Sequence, residues 1–582
     1  MWNFVLSRSL KRRWLAALGA VLVSGLSAFS QTPTGTLAGV ASDAAKAPVS
    51  EVIVTAKKLD DGVVRAAVTG KDGAYQINDV APGAYSVLAQ KQGYADFTIA
   101  SVQIAAGSPT TTNLTLTSNA PVTTAAAHPN FMKRLGKAYW DDWHPSPAAA
   151  SGPAPAFRGY AAPESNPPYP FSSWPMGGTV NIGQPFSFSN PLMIALYDGP
   201  NGDWWKKSKI GIFGWANAGM NFSTSNALPY GNAPAAYPQI PNSIQLDQLT
   251  FYIERQPDTV QKDHFDWGFQ LTNLYGFDYR FTTAKGIFSQ QLLNNPKPDG
   301  SIGNKYGYDP VMYYVDLYFP QVGQGMDVRV GRYISLPDIE AQLAPNNYTY
   351  THSLTYSYDC YTQQGVNTTT KITDHWTVQL GISGGCESAL WKHDAQVTGN
   401  ICVAYFWSQG GDDVYVCANS LNDSKYSYNN LAAYYATWYH KINKNWHTAT
   451  EAWYQYTLDT PNANNPAAAS LIQTNSNGAR CNRPDELTCD ATSWATVNYT
   501  SRQLGAHDFI TIRNEFFDDH RGQRTGYKTR YEENGIGWNH WVGSSIVLRP
   551  ELRYEHAFDF TAYDNGTKKS QFMFAADVIF FY

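Results

Sequence analysis

Four charged residues alternate near the end of the chain: Arg549, Glu551, Arg553 and Glu555. In a strand they share one face, while Ile546, Leu548, Pro550, Leu552 and Tyr554 hold the other. A charge facing lipid costs several kcal/mol, so the charged face belongs against water and the apolar face against lipid. Asp316, Asp327, Arg329, Glu451 and Asp577 add further charges on neighbouring alternating segments. Mixed signs on such a wall predict a transverse field across a water path rather than a strong choice of anion or cation. The competing reading is that these charges pair with one another and stiffen the wall. Residues 331–347 break the alternation and mix apolar with acidic side chains. They predict an inward-folded segment that places Asp338 and Glu340 at a constriction, or else a packed plug that braces the wall.

Other chemistry is poorly supported. Gly381-Ile382-Ser383-Gly384-Gly385 matches G-x-S-x-G, but that nucleophile elbow needs a strand followed by a helix. Here the motif ends a predicted strand and runs into Cys386. His447 and Glu451 share a strand face without an apparent third ligand. There is no H-E-x-x-H, phosphate loop or dinucleotide fingerprint. No catalytic residue, cofactor or metal is expected, since no C-x-x-C appears and no His stands at ligand spacing.

The elements that must position these residues are strands. From Ser208 onward, segments of about ten residues alternate apolar with polar side chains. Phe265, Trp267, Phe269 and Leu271 oppose Asp266, Gly268, Gln270 and Thr272. Val311, Tyr313, Val315, Leu317 and Phe319 oppose Met312, Tyr314, Asp316 and Tyr318, and Trp376, Val378, Leu380 and Ile382 oppose Thr377, Gln379 and Gly381. The expected fold is all-β: an antiparallel transmembrane barrel of about 14 strands, within a range of about 12–18. A large soluble β-protein such as a propeller is the alternative, but no blade-length repeat is visible.

Composition agrees. The 582 residues are 14% aromatic and only 15% charged, with 38 Tyr and 18 Trp. Mean hydropathy is −0.37, which argues against a helical membrane protein. Arg8, Lys11, Arg12 and Arg13 precede an apolar run from Trp14 to Leu26, and Ala28-Phe29-Ser30 suits cleavage, so residues 1–30 read as a secretory signal peptide. Its removal takes four positive charges and moves the formal net charge from −5 to −9, which disfavours nucleic acid as a partner. Export permits disulfides. Cys481 with Cys489 is the favoured pair and Cys402 with Cys417 the next; Cys360 and Cys386 complete the six.

Three further stretches carry resemblances. The last residues, FMFAADVIFFY, set Phe572, Phe574, Ala576, Val578, Phe580 and Tyr582 on one face. They resemble the C-terminal assembly signal of bacterial outer-membrane barrels, which implies that Phe574, Val578, Phe580 and Tyr582 are read by the barrel assembly machinery. Residues 35–118 alternate in short runs between turns such as Lys71-Asp72-Gly73 and Ala81-Pro82-Gly83, which argues for a small β-sandwich. Thr69, Asp72, Gly73 and Tyr75, then Pro82, Gly83 and Tyr85, then Gly93-Tyr94, resemble the carboxypeptidase regulatory-like domain, with its transthyretin-like, carbohydrate-binding-like fold. That resemblance implies a fold rather than an activity; a glycan is the ligand class it would suggest. Residues 119–205 are a Pro/Ala-rich linker and barrel-entry segment with a short helix expected over Asn130 to Trp143, and 206–582 are the barrel.

The run GRYISLPDIEAQLAPNNYTYTHSL from Gly331 to Leu354, IGIFGWANAGMNFSTS from Ile210 to Ser225, and LYGFDYR from Leu274 to Arg280 resemble the OmpL-like group of β-barrel porins. The resemblance implies an outer-membrane porin passing small polar solutes, with a periplasmic sandwich in front and membrane lipid around it. Homo-oligomerisation is left open by chain size. The pore-lining or constriction candidates are Arg329, Asp338, Glu340, Glu451, Arg549, Glu551, Arg553 and Glu555. Three other functions compete. A gated receptor requires a plug domain of about a hundred residues or more and about 22 strands, for which the chain is short. An adhesin or binding receptor would use the sandwich or the cysteine-rich loops as its contact surface. An outer-membrane enzyme lacks any convincing catalytic motif.

Overall fold

The computed structural model describes residues 34–60, 63–91, 94–118, 128–145, 182–183, 186, 188–293, 297, 301–334, 336, 338–393, 395–407, 412–428, 430–443, 445–473, 477–505 and 507–582. The expected signal peptide, most of the Pro/Ala-rich run, and Gly93 of the sandwich pattern lie outside the described residues.

The N-terminal strands are β1 (Gly35–Asp43), β2 (Ile53–Lys58), β3 (Val64–Val68), β4 (Ala74–Val80), β5 (Gly83–Gln90), β6 (Phe97–Ile104), β7 (Pro109–Thr111) and β8 (Leu114–Leu116). They form one sheet in the order β4-β1-β7, with β8 also on β1, and a second in the order β3-β2-β5-β6. Inward positions recur every second residue, so Leu37, Val54, Tyr75, Ile77, Val87 and Leu114 fill one core. Two of the three motif tyrosines pack there and keep their hydroxyls bonded: Tyr75 donates to Thr112 O at 2.6 Å and Tyr85 to Ala81 O at 2.8 Å. Gly73 has φ +73°, and a Cβ there would lie 2.5 Å from Ala41 O, which is why the turn takes glycine.

Sixteen further strands close into one antiparallel barrel, two more than the sequence count of about 14 and inside the expected range. The first eight are β9 (Ile210–Ser223), β10 (Ile244–Arg255), β11 (Asp266–Gly276), β12 (Gly307–Phe319), β13 (Met326–Ile334), β14 (Thr362–Lys371), β15 (Trp376–Cys386) and β16 (Thr398–Trp407). The rest are β17 (Asp412–Leu421), β18 (Ala432–Lys441), β19 (Trp446–Pro461), β20 (Thr488–Gln503), β21 (Asp508–Asp519), β22 (Thr529–Val542), β23 (Ile546–Ala557) and β24 (Ser570–Phe581). β24 pairs with both β23 and β9, so neither edge stays open. Tyr582 extends this seam, exchanging backbone bonds with Gly214 at 2.9 and 3.0 Å.

The alternation resolves into two environments. Leu249, Leu380, Ile401, Ile536, Leu552 and Val578 are among the exposed outward side chains, a surface suited to lipid. Met573, Asp577, Ile579 and Phe581 of β24 point inward and are buried. The strands are joined alternately by tight links such as 372–375 and 543–545, and by long loops such as 224–243, 277–306, 335–361 and 462–487. The tight links share the rim at which β9 begins and β24 ends.

Three helices precede or meet that rim: α1 (Phe131–Trp143), α2 (Pro191–Tyr197) and α3 (Gly202–Ser208). Asn130 caps α1 by accepting from Lys133 N at 3.0 Å. The helix is tied to the barrel by Tyr139, whose hydroxyl donates to Phe581 O at 3.0 Å and whose ring stacks on Phe580 at 5.3 Å. Asp142 accepts from Ser544 N at 2.9 Å and from the hydroxyls of Ser544 and Ser545, both at 2.7 Å.

Candidate functional site

The charged row of β23 does face inward. Arg549, Glu551, Arg553 and Glu555 are all buried, because the period of two that puts Leu548 and Leu552 outside puts these four inside. Much of their bonding capacity is taken by residues 338–361, the loop after β13, which folds into the lumen.

Nearly every residue of that loop is buried. Irregular backbone at membrane depth needs hydrogen-bond partners that lipid does not supply, and the wall supplies them. Arg549 donates to Ala344 O at 2.8 Å and Asn347 O at 3.1 Å while pairing with Asp577 at 2.5 Å. Glu551 accepts from Thr351 N at 2.9 Å and its hydroxyl at 2.6 Å. Arg553 donates to His352 O at 2.5 Å and pairs with Glu555 at 2.7 Å. Glu451 accepts from Ile339 N at 2.8 Å. On the far side, Gln248 of β10 donates to Gln342 O at 2.6 Å and accepts from Ala344 N at 3.0 Å. Gly219 of β9 leaves room for the loop: a Cβ there would lie 2.1 Å from the Tyr350 hydroxyl.

The central fastener is Arg513, which the sequence reading did not single out. It has no solvent exposure and donates to Thr349 Oγ1 at 2.7 Å, Thr351 O at 2.5 Å and Thr351 Oγ1 at 2.8 Å. It also pairs with Glu533 at 2.7 Å and Glu551 at 3.0 Å. Beside it, Glu515 accepts from Leu354 N at 2.9 Å and from the backbone and hydroxyl of Thr355. The alternation in Ile510-Thr511-Ile512-Arg513-Asn514-Glu515 carries the signal that would have found both residues. Nothing local marks Glu533 as their partner.

The two acidic candidates on the loop part ways. Glu340 turns toward the wall and accepts from Ser353 N at 3.0 Å, the Ser353 hydroxyl at 3.1 Å, and Tyr499. Arg513 approaches it at 3.5 Å. Asp338 turns away: neither of its oxygens has a hydrogen-bond donor. The same is true of Asp359 near the end of the loop and of Glu451 Oε1 on β19. These three residues each offer an oxygen within 4.8 Å of the others. His352, in the middle of the loop, is pushed well below the usual histidine range by burial, the charges of Arg513, Arg549 and Arg553 adding to it, so it is neutral.

Elsewhere on the inner wall, Arg329 pairs with Asp316 through bonds of 2.8 and 2.9 Å and lies over the Tyr314 ring. Arg332 pairs with Asp309 at 2.9 Å. Each of Arg329, Arg332, Arg513, Arg549 and Arg553 is therefore matched by a carboxylate. Glu254, Asp327 and Asp413 also face inward, and among the described residues they, like Asp338, Asp359 and Glu451, form no ion pair.

Three disulfides fall on the loop side of the barrel or within its wall: Cys481 with Cys489 and Cys402 with Cys417, as the spacing favoured, and Cys360 with Cys386. The last ties the end of the inward loop to β15.

Residues 209–582 match the family model described as "Putative beta-barrel porin-2, OmpL-like". The chain belongs to this OmpL-like porin family. Residues 36–117 match the carboxypeptidase regulatory-like domain. Among solved structures, this OmpL-like porin is similar to an anion-selective porin from Comamonas acidovorans, at 9% identity and TM-score 0.40, covering 64% of this chain and 99% of that one. It is similar to the outer-membrane channel DcaP of Acinetobacter baumannii, at 8% identity and TM-score 0.40, covering 64% and 97%. OprB of Pseudomonas putida matches at 10% identity and TM-score 0.39, covering 66% and 97%. No curated protein matches the chain.

Proposed function

We propose that this OmpL-like porin is a passive channel for small polar solutes. One observation carries this reading: sixteen strands close into a single barrel whose inward face is rich in polar and charged side chains, as the wall of a water path requires. The inner-wall arginines are each paired with a carboxylate. In this reading Glu340, Arg549, Glu551, Arg553 and Glu555 anchor the inward loop rather than line an open constriction.

The sandwich is read as a non-catalytic periplasmic module, since the chain reaches the barrel at the rim of tight links, the periplasmic rim in outer-membrane barrels. A glycan is the ligand class to test on it. A second reading, a barrel serving as an anchor for a receptor or adhesin, draws support from the depth to which residues 338–357 fill the lumen.

Purified protein in a planar bilayer separates the two. The channel reading expects discrete conductance steps with no energy source. A silent barrel favours the anchor.

A further inference from the structure

Among the described residues, no basic side chain forms an ion pair with the cluster of Asp338, Asp359 and Glu451. Two carboxylate oxygens of Asp338, two of Asp359 and one of Glu451 have no hydrogen-bond donor, although the residues are only 5%, 3% and 2% exposed. Arg524, which approaches Asp359, donates instead to the backbone oxygens of Tyr358 and Asp359 at 2.8 and 3.3 Å. Three carboxylates this close in a poorly solvated place repel strongly, and such a group requires protons or a cation.

A fourth residue points to a cation. Tyr435 of β18 is 2% exposed, and its hydroxyl has no hydrogen-bond partner. It stands opposite Trp453 in the β18–β19 ladder, while Glu451 stands opposite Thr437. Tyr435 and Glu451 are therefore diagonal neighbours on the inward face, a spacing that long side chains bridge. The charges of Asp359, Asp338 and Glu451 all act on Tyr435. One oxygen from each of the three carboxylates thus lies within 4.8 Å of the others, and an unpartnered buried hydroxyl stands on the adjoining inward face.

We propose that Asp338, Asp359, Glu451 and Tyr435 form a Ca2+ site that clamps both stems of the inward loop to β19. All the donors are hard oxygens, which suits Ca2+ or Mg2+ and not the nitrogen- and sulfur-seeking metals. Ca2+ takes about six to eight oxygens at about 2.3–2.6 Å in adaptable geometry, and six oxygens without partners are present. Mg2+ demands a tighter octahedron and retains water, so it is the weaker fit. Asp338 lies just beyond β13 and Asp359 just before β14, so an ion bound to both, and to Glu451, ties down the loop where it leaves and rejoins the wall. The arrangement is distinct from the Arg513 anchorage at the middle of the loop. It rests on the fold alone and holds whether or not the barrel conducts.

The test uses the full folded chain in detergent, freed of metal by chelation, with Tb3+ as the probe. Tyr435 and Trp453 are placed to sensitise its emission. The expected result is a saturable emission displaced by Ca2+ at lower concentration than by Mg2+, and weakened at least tenfold in D359N and in E451Q. Folding of each variant is checked by the heat-modified shift of the barrel on a gel. As a second measurement on the unaltered chain, Ca2+ is expected to raise the unfolding temperature and to slow protease cleavage between residues 335 and 361. No saturable emission from the folded protein overturns the site and leaves protons as what neutralises the cluster. Emission unchanged in both variants overturns it as well, since the ion would then be bound elsewhere.

Discussion

Replacing Arg513 by methionine removes the charge while keeping most of the side-chain volume. The guanidinium makes three hydrogen bonds of 2.5–2.8 Å to Thr349 and Thr351, and it neutralises Glu533 and Glu551 at 2.7 and 3.0 Å. Hydrogen bonds of a charged group contribute about 1.5–3 kcal/mol each, but they are not independent here. Removing one partner of a buried ion pair costs about 3–5 kcal/mol, and that is the better single figure. At about 1.4 kcal/mol per tenfold, the fraction of barrels with the centre of the loop detached rises by about two to three and a half orders of magnitude. The barrel itself persists, because its strand ladders are untouched. Single-channel recording of R513M should show a noisier and larger open level, and hydrogen exchange at Thr349 to Thr355 should accelerate to match. Because the loss comes largely from stranded carboxylates, R513M/E533Q should be less perturbed than R513M alone, the non-additivity expected of a shared network. R530M, which removes the exposed partner of Asp559, serves as the control and should change none of these readings. R513M with unchanged exchange and unchanged current would refute the idea that this residue fastens the loop.

Other perturbations probe other contacts. D142A removes three hydrogen bonds to Ser544 and Ser545, a loss of about 1–2 kcal/mol, so exchange in residues 131–143 should quicken about tenfold while the barrel's gel shift stays the same. Asp564 is held down to about 2 by its bond to Lys568 and by the amides of Asn226 and Ala227. A depressed carboxylate adds stability above its unfolded value near 4 and loses it as pH falls toward 2, so those two amides should stay protected at pH 5 and exchange faster between pH 4 and 2, a change absent in D564N. C481S/C489S opens the disulfide at the base of residues 462–487, and should speed proteolysis within that loop several-fold without altering barrel assembly.

Much of this was legible in the chain. A period of two is a local property, so the inward and outward faces of β23 and β24 follow from the sequence wherever one face meets lipid. The helix at residues 131–143 and two of the disulfides were legible for the same reason, since near neighbours set them. The strand count was less so: links as short as 372–375 or 543–545 leave little punctuation between adjacent alternating runs. The destination of the charged faces was not legible at all. Arg553 and Glu340 look alike in sequence terms, each a charge beside apolar residues, yet both are turned to the anchorage of one loop.

The sequence by itself determined a two-faced β-chain with a small sandwich in front and charges that must avoid lipid. Only the tertiary structure decided what those charges do. Closing the barrel brings Arg513 of β21 against Glu551 of β23, and folding residues 338–361 inward presents bare backbone that the wall must satisfy. Asp338, Asp359 and Glu451 are separated in sequence and meet only because both ends of that loop return to the same side of β19. Strand parity fixes which way a side chain points; which partner waits there is set by ring closure and by the loop's path, and neither has a local signature.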